Sequence, residues 1–323
     1  MSTTLFFLVP IGMLAVVWSL CFVGCVLPTS GLPGPPYSNT ILAEASLIAY
    51  WPLSDLAGAA PAPPQGSTSL GIAADLSGNG HPGTYINPPA YMAGATIPQI
   101  VTNPTLNLHQ ASIVPGDAFA AGSKNLPACV DFEGGYVSIP WAANSPALTD
   151  FTLEAWIKPK WTVTGFNWAV FSAHTGTGTG FSLFINDQNQ WQLSVGNGTT
   201  FTPFNTMAPA PVNPSSTTYV AMTFESIGGT TGTLSLWINP SSDDTSVAPT
   251  ATFSTQTTYV AVDPTQPVTF FIGAGDNQDA PRTQAGGPGA PLVPFQGLIQ
   301  SVALYNIALE PTDLASHFAD GAA

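Results

Sequence analysis

The chain is short of charge. Only 7% of its 323 residues are Asp, Glu, Lys or Arg, far below the usual quarter. Bases are scarcest of all: Lys124, Lys158, Lys160 and Arg282 stand against 18 acids, for a formal net charge of −14. Four scattered cations make no basic patch. That excludes nucleic acid as a partner, because phosphate recognition needs clustered Lys and Arg. It also excludes recruitment by anionic lipid headgroups. Cysteine is scarce too. Of three, Cys21 and Cys25 lie near the start and Cys129 stands alone in the remainder, so the body of the chain holds no internal disulfide. A domain of this size does not need one.

What is present is apolar residues at 45%, with 31 Gly and 32 Pro set between aromatic and branched stretches. This is the composition of short strands punctuated by turns, with a core to bury.

Residues 5–27, LFFLVPIGMLAVVWSLCFVGCVL, carry no charge. At about 1.5 Å per residue the run reaches roughly 34 Å, enough to cross a bilayer core. Val23-Gly24-Cys25 has the look of a lipoprotein cleavage site, which would make Cys25 a lipid carrier. Against this, the leading MSTT has no basic residue, the apolar run is longer than a cleaved signal needs, and Phe22 stands where Leu is expected. The expectation is therefore an uncleaved single transmembrane helix within residues 1–27. Cys21 and Cys25 fall four apart on one helix face, three and seven positions after Trp18. Trp18, Cys21 and Cys25 are the expected contact stripe toward neighbouring membrane proteins. Residues 28–42 read as a semi-extended Pro/Gly-rich linker. The Thr-, Ser- and Asn-rich remainder, 43–323, is expected on the periplasmic or extracellular side.

From Ala43 onward the chain alternates with period two and turns about every dozen residues. FTLEAWIKP (151–159) places Phe151, Leu153, Ala155 and Ile157 on one face. GFSLFIN and QWQLSVGNG pair around Asp187-Gln188-Asn189, and TYVAMTFESIGGTTGTLSLWINP (218–240) forms a long hairpin over Gly228-Gly229. CVDFEGGYVSIP (129–140) is strand, Gly-Gly turn, strand. One helix is expected near the end, in EPTDLASHF, with Pro311 in its first turn and Gly321 beyond its last. The expected fold is all-β: an antiparallel sandwich of two sheets.

SLIAYWPLSD, DLSGNGHPGTY, VDFEGGYVSIP, DFTLEAWIKP, TTYVAMTFE, LSLWINP and PFQGLIQSVALYNIALEPTDLASHF occur in the order seen in laminin-G-like domains. From Ala43 to the end the chain resembles that family, within the concanavalin A-like lectin/glucanase superfamily. The resemblance implies a jelly roll, with the Pro-rich stretches 86–124 and 276–294 as loop insertions.

Glycosidases of this fold carry two carboxylates a few residues apart on one strand, flanking the sugar bond. No Glu-x-Asp-x-x-Glu pattern occurs here. Glu154 stands alone on its strand, with Lys158 as its expected partner and a structural role. His81, His109, His174 and His317 form no triad, and His317 is expected in packing. GTGTG (176–180) lacks the Lys of a phosphate loop. The chain is not expected to be an enzyme.

The family resemblance implies Ca²⁺ near the first loop and last strand. DLSGNGHPG keeps Asp75 and Asn79 as weak Ca²⁺ candidates, but Pro82 replaces an Asp and Gln300-Ser301 replaces Asp-Glu. The competing and favoured reading is that Asp75, Ser77 and Asn79 build a turn. Trp156, opposite Phe151 and Leu153, is the candidate ligand platform for a sugar, against the simpler reading that the tryptophans fill the core. Asn197-Gly198-Thr199 is a glycosylation acceptor sequence.

Two functions are expected in order. The first is a non-catalytic accessory subunit, anchored in the membrane and stabilising a larger membrane protein complex, such as a respiratory or photosynthetic one. The second is a surface-anchored carbohydrate-binding lectin or adhesin with glycans as partners.

Overall fold

In a computed structural model, the described residues, which run from Pro36 to Ala322, belong to one compact unit. The structure describes residues 36–53, 69–86, 130–133, 136–141, 145–160, 167–175, 178–205, 212–213, 216–240, 249–263, 265, 268–275 and 295–322. The apolar run 5–27 with Trp18, Cys21 and Cys25 lies outside these, as do Cys129 and almost all of the two Pro-rich insertions. Among the described residues no helix is long and apolar enough to cross a membrane.

The fold is a two-sheet antiparallel sandwich. One sheet has seven strands, running β1 (Leu47–Trp51), β15 (Gln296–Tyr305), β6 (Phe151–Pro159), β11 (Thr218–Gly228), β12 (Thr231–Ile238), β13 (Ala251–Thr258), with β4 (Val130–Glu133) also on β15. The other has eight: β10 (Phe201–Asn205), β9 (Trp191–Gly196), β8 (Thr179–Ile185), β7 (Trp168–Thr175), β14 (Val268–Ile272), β5 (Tyr136–Trp141), β3 (Gly83–Ile86), β2 (Ser69–Ala73).

The alternation read from β6 sets the layers. Phe151, Leu153, Ala155 and Ile157 enter the core between the sheets, facing Phe181, Leu183, Phe270 and Ile272 of the opposite sheet. Phe151 stacks on Phe181 with centroids 4.5 Å apart. Trp51, Trp168 and Trp191 fill the same layer. The two expected hairpins form as read: Ile185 pairs with Trp191, and Ser226 with Gly232. Asn189 and Gly229 take left-handed backbone at φ 57° and 59° to close them.

The strands flanking Gly134-Gly135 do not pair with each other. β4 joins β15 in the seven-stranded sheet, while β5 joins β14 and β3 in the other. The chain thus changes sheet between β4 and β5, a distinction that period two cannot make because each strand is locally complete.

Two helices cover the seven-stranded sheet. α2 (Pro311–Ala322) opens on Pro311 as expected but runs through Gly321. A Cβ at Gly321 would press into the Trp156 ring, so the glycine serves close approach and not termination. α1 (Pro36–Ala43) was not foreseen: the expected linker 28–42 gives way to helix from Pro36. Pro36 suits the first turn, and Tyr37 and Ile41, four apart, are fully buried against the sheet. Eight residues are too few to hold a helix in water, so this docking is what makes α1 helical.

Candidate functional site

The outward side of the seven-stranded sheet is a second apolar layer. Trp156, Tyr219, Trp237, Tyr50 and Tyr305 from the strands meet Tyr37 and Ile41 of α1 and Leu314 of α2. Trp156, the expected sugar platform, is only 3% exposed. Phe318 stacks on it at 5.7 Å, and Tyr37 and Tyr219 meet it edge-on at 6.1 and 5.4 Å. It is a packing residue beneath the helices; the alternation that turned it away from the core could not show that helices cover that side.

In this layer lies Glu154, with no solvent exposure. Its Oε1 accepts the hydroxyls of Tyr37 (3.0 Å) and Tyr305 (3.1 Å). Its Oε2 accepts the Tyr219 hydroxyl and faces His317 Nδ1 at 3.0 Å. Four donors match the carboxylate's four lone-pair sites. The partners are thus three tyrosines and His317, in place of the expected Lys158. His317 does more than pack. Its Nε2 lies 3.5 Å from Glu44 Oε1, at the end of α1. Around this centre Tyr50 shares a hydrogen bond with Ser38 (2.8 Å), and Thr40 donates to Asp320 of α2.

The electrostatics follow from the burial. Burial alone would push Glu154 up, but the His317 charge and the bonds from His317, Tyr219 and Tyr37 outweigh it and hold the carboxyl below its ordinary value. Burial would push His317 down, yet Glu154 and then Glu44 raise it to about 9. Burial, reinforced by the Glu154 charge, raises Tyr37, Tyr219 and Tyr305 well above the ordinary tyrosine range. At neutral pH the centre is a carboxylate and an imidazolium clasped by neutral phenols. Every lone pair of Glu154 is committed, so it is poorly placed to attack or protonate a substrate.

The Asp75 loop is also closed on itself. Asp75 Oδ1 accepts the backbone N–H of Tyr50 and Ser77 (both 3.0 Å), and Oδ2 accepts that of His81 (2.9 Å). Asn79 Nδ2 donates to the carbonyls of Leu47 and Ile48 (3.0 and 2.9 Å). No group of three or more His, Cys, Asp or Glu suited to a metal occurs among the described residues. These bonds build a turn tied to β1, the reading the sequence favoured for Asp75 and Asn79.

The outward side of the eight-stranded sheet differs. Strand register aligns one row across six strands: Thr84, Ser138, Phe271, Ser172, Ser182 and Ser194. All point away from the core, since their strand neighbours Tyr85, Val137, Phe270, Ala173, Leu183 and Leu193 fill it. Ser172, Ser182 and Ser194 are buried; Thr84, Ser138 and Phe271 are half-buried. Tyr136 meets Phe271 edge-on at 5.6 Å. Hydroxyls at the strand spacing of about 4.8 Å beside an aromatic pair offer polar and π contacts together. The row was missed from sequence because it exists only once six strands are in register.

Residues 131–315, more than half the chain, match the laminin-G family model described as the concanavalin A-like lectin/glucanases superfamily. None of the curated proteins matches the chain. Among solved structures, domain 4 of AbnA, a GH43 extracellular arabinanase from Geobacillus stearothermophilus in complex with arabinotriose, aligns at 16% identity and TM-score 0.47, over 85% of this chain and 98% of that one. A heptameric SAP-like pentraxin from Limulus polyphemus aligns at 16% and 0.36, over 53% and 70%. A Trypanosoma rangeli sialidase aligns at 14% and 0.45, over 86% and 33%. The family match, and not these alignments, carries the assignment.

Proposed function

Because the chain belongs to the concanavalin A-like lectin/glucanase superfamily, we propose that it is a non-catalytic, membrane-anchored module that binds neutral glycan chains on the outward side of its eight-stranded sheet. The observation that carries this is the Thr84–Ser138–Phe271 row with Tyr136 beside it. Sugar rings present apolar C–H faces and rims of hydroxyls, and aromatic rings flanked by short hydroxyl side chains complement both. The opposite sheet is sealed by α1 and α2. The lack of a catalytic reading rests on Glu154 being enclosed and fully bonded. The anchor rests on the uncharged run 5–27, and an extracytoplasmic body rests on the Thr-, Ser- and Asn-rich, Lys-poor composition of 43–323.

Glycan-array screening of the full chain in mild detergent, followed by calorimetry with any oligosaccharide that binds, is the test. Dose-dependent binding weakened at least tenfold by Phe271→Ala supports the reading. No binding across neutral glycans, with the chain instead co-purifying at fixed stoichiometry in a membrane complex, would replace it with the accessory-subunit reading. That reading draws on the same apolar run, with Trp18, Cys21 and Cys25 as its contact stripe.

A further inference from the structure

α1 is the segment through which the chain enters the sandwich, and α2 follows its last strand. The side chains of α1 are bonded mainly outside their own helix. Tyr37 donates to Glu154, Ser38 bonds Tyr50, Thr40 donates to Asp320, and Glu44, just past its end, faces His317. Two of these four partners, Asp320 and His317, belong to α2, and a third, Glu154, is the residue His317 itself grips. The two helices thus share one buried carboxylate between them.

We infer that α1 and α2 are a single latch, docked or released together through Glu154, so that α2 at the far end of the chain controls whether the entry segment is folded onto the sandwich or free. Three physical points support this. A helix as short as α1 has no stability of its own. Removing either helix strips a donor from a carboxylate that the sheet and the other helix still enclose, and a buried acceptor left short of donors is unfavourable. The remaining facing groups, Tyr50, Tyr219, Tyr305 and Ser301, lie on the strands and stay with the sheet. Release would also change the reach of the entry segment. Eight residues span about 12 Å as helix and roughly 26–29 Å extended, so the latch sets the tether between the sandwich and whatever precedes it.

Coupling of this kind is reciprocal, and that gives the test. Amide hydrogen exchange is followed by mass spectrometry on the full chain in detergent for the parent, Tyr37→Phe, His317→Gln and the exposed control Ser316→Ala. Tyr37→Phe removes one hydroxyl from α1 and should speed exchange in 311–322 at least threefold. His317→Gln should speed exchange in 36–43 at least tenfold. Peptides of β8 and β9 should stay protected in both, and Ser316→Ala should change neither helix. If each substitution loosens only its own helix, or if His317→Gln loosens the β8–β9 peptides as much as α1, the latch is disproved.

Discussion

His317 Nδ1 lies 3.0 Å from Glu154 Oε2, with both side chains sealed between helix and sheet. In a chain with so few charges, a buried ion pair is costly unless every remaining lone pair is met. Here the three tyrosyl hydroxyls meet them. Glu154→Gln keeps the shape but replaces an acceptor with an amide among four donors. We expect a loss of about 3–5 kcal/mol in stability, read from urea unfolding followed by tryptophan fluorescence. A loss under about 1 kcal/mol would mean that the carboxylate's charge contributes little.

The pair also fixes how stability depends on pH. His317 is raised from 6.5 to about 9, so its contribution is complete below 6.5 and is lost as pH rises through 9. Glu154 is depressed below 4.5, so its contribution is complete above 4.5 and falls away under more acid conditions. Thermal unfolding should therefore peak in midpoint between about pH 4.5 and 6.5 and decline toward pH 9. In His317→Gln the alkaline decline should flatten. A parent midpoint that is level from pH 6 to 10 would contradict the assigned protonation.

Gly321 tests the approach of α2 to Trp156. In an exposed helix Gly→Ala gains about 1 kcal/mol. Here the added Cβ meets the indole carbons, and overpacking of that kind costs about 1–3 kcal/mol. Gly321→Ala should lower the melting midpoint, and near-ultraviolet circular dichroism should report a displaced Trp156. A raised midpoint would show that the helix end has room.

The Asp75 turn predicts a response to mutation without a response to metal. Asp75→Ala leaves three backbone N–H groups without their acceptor and should cost roughly 1–3 kcal/mol. Adding millimolar Ca²⁺ or a chelator should leave the parent's melting midpoint where it is. A rise of several degrees with Ca²⁺ would restore the cation site.

Ser172 and Ser182 hydroxyls are buried without a hydrogen-bond partner among the described residues. Ser182→Ala removes a polar group that makes no bond, so stability should hold or rise by up to about 1 kcal/mol. A marked loss in chemical denaturation would mean that the hydroxyl is bonded in solution.

How much of this was legible in the sequence depends on how local each signal is. β6 and the β11–β12 hairpin were readable because alternation and a Gly-Gly turn act over a dozen residues. The sheet to which β4 belongs was not, since a strand's partner is set by register far away. α1 hid behind its prolines: PGPPYSNTILA reads as a spacer until the four-residue step from Tyr37 to Ile41 is set against a sheet that can receive it. Glu154 stood out as solitary, but its four partners lie 117, 65, 151 and 163 residues distant, so no window of sequence contains the cluster. Trp156 was correctly turned from the core and wrongly left open, because nothing in a strand's own pattern tells whether a helix lies above it.

The bond from Thr40 to Asp320 joins residues 280 positions apart and brings the two ends of the body side by side. In topological terms the sandwich is nearly a ring, closed by side chains where a peptide link would serve. A short bridge from residue 322 back to residue 36, with new ends opened at the Gly228-Gly229 tip, would preserve every strand pairing of the seven-stranded sheet except that hairpin's own connection.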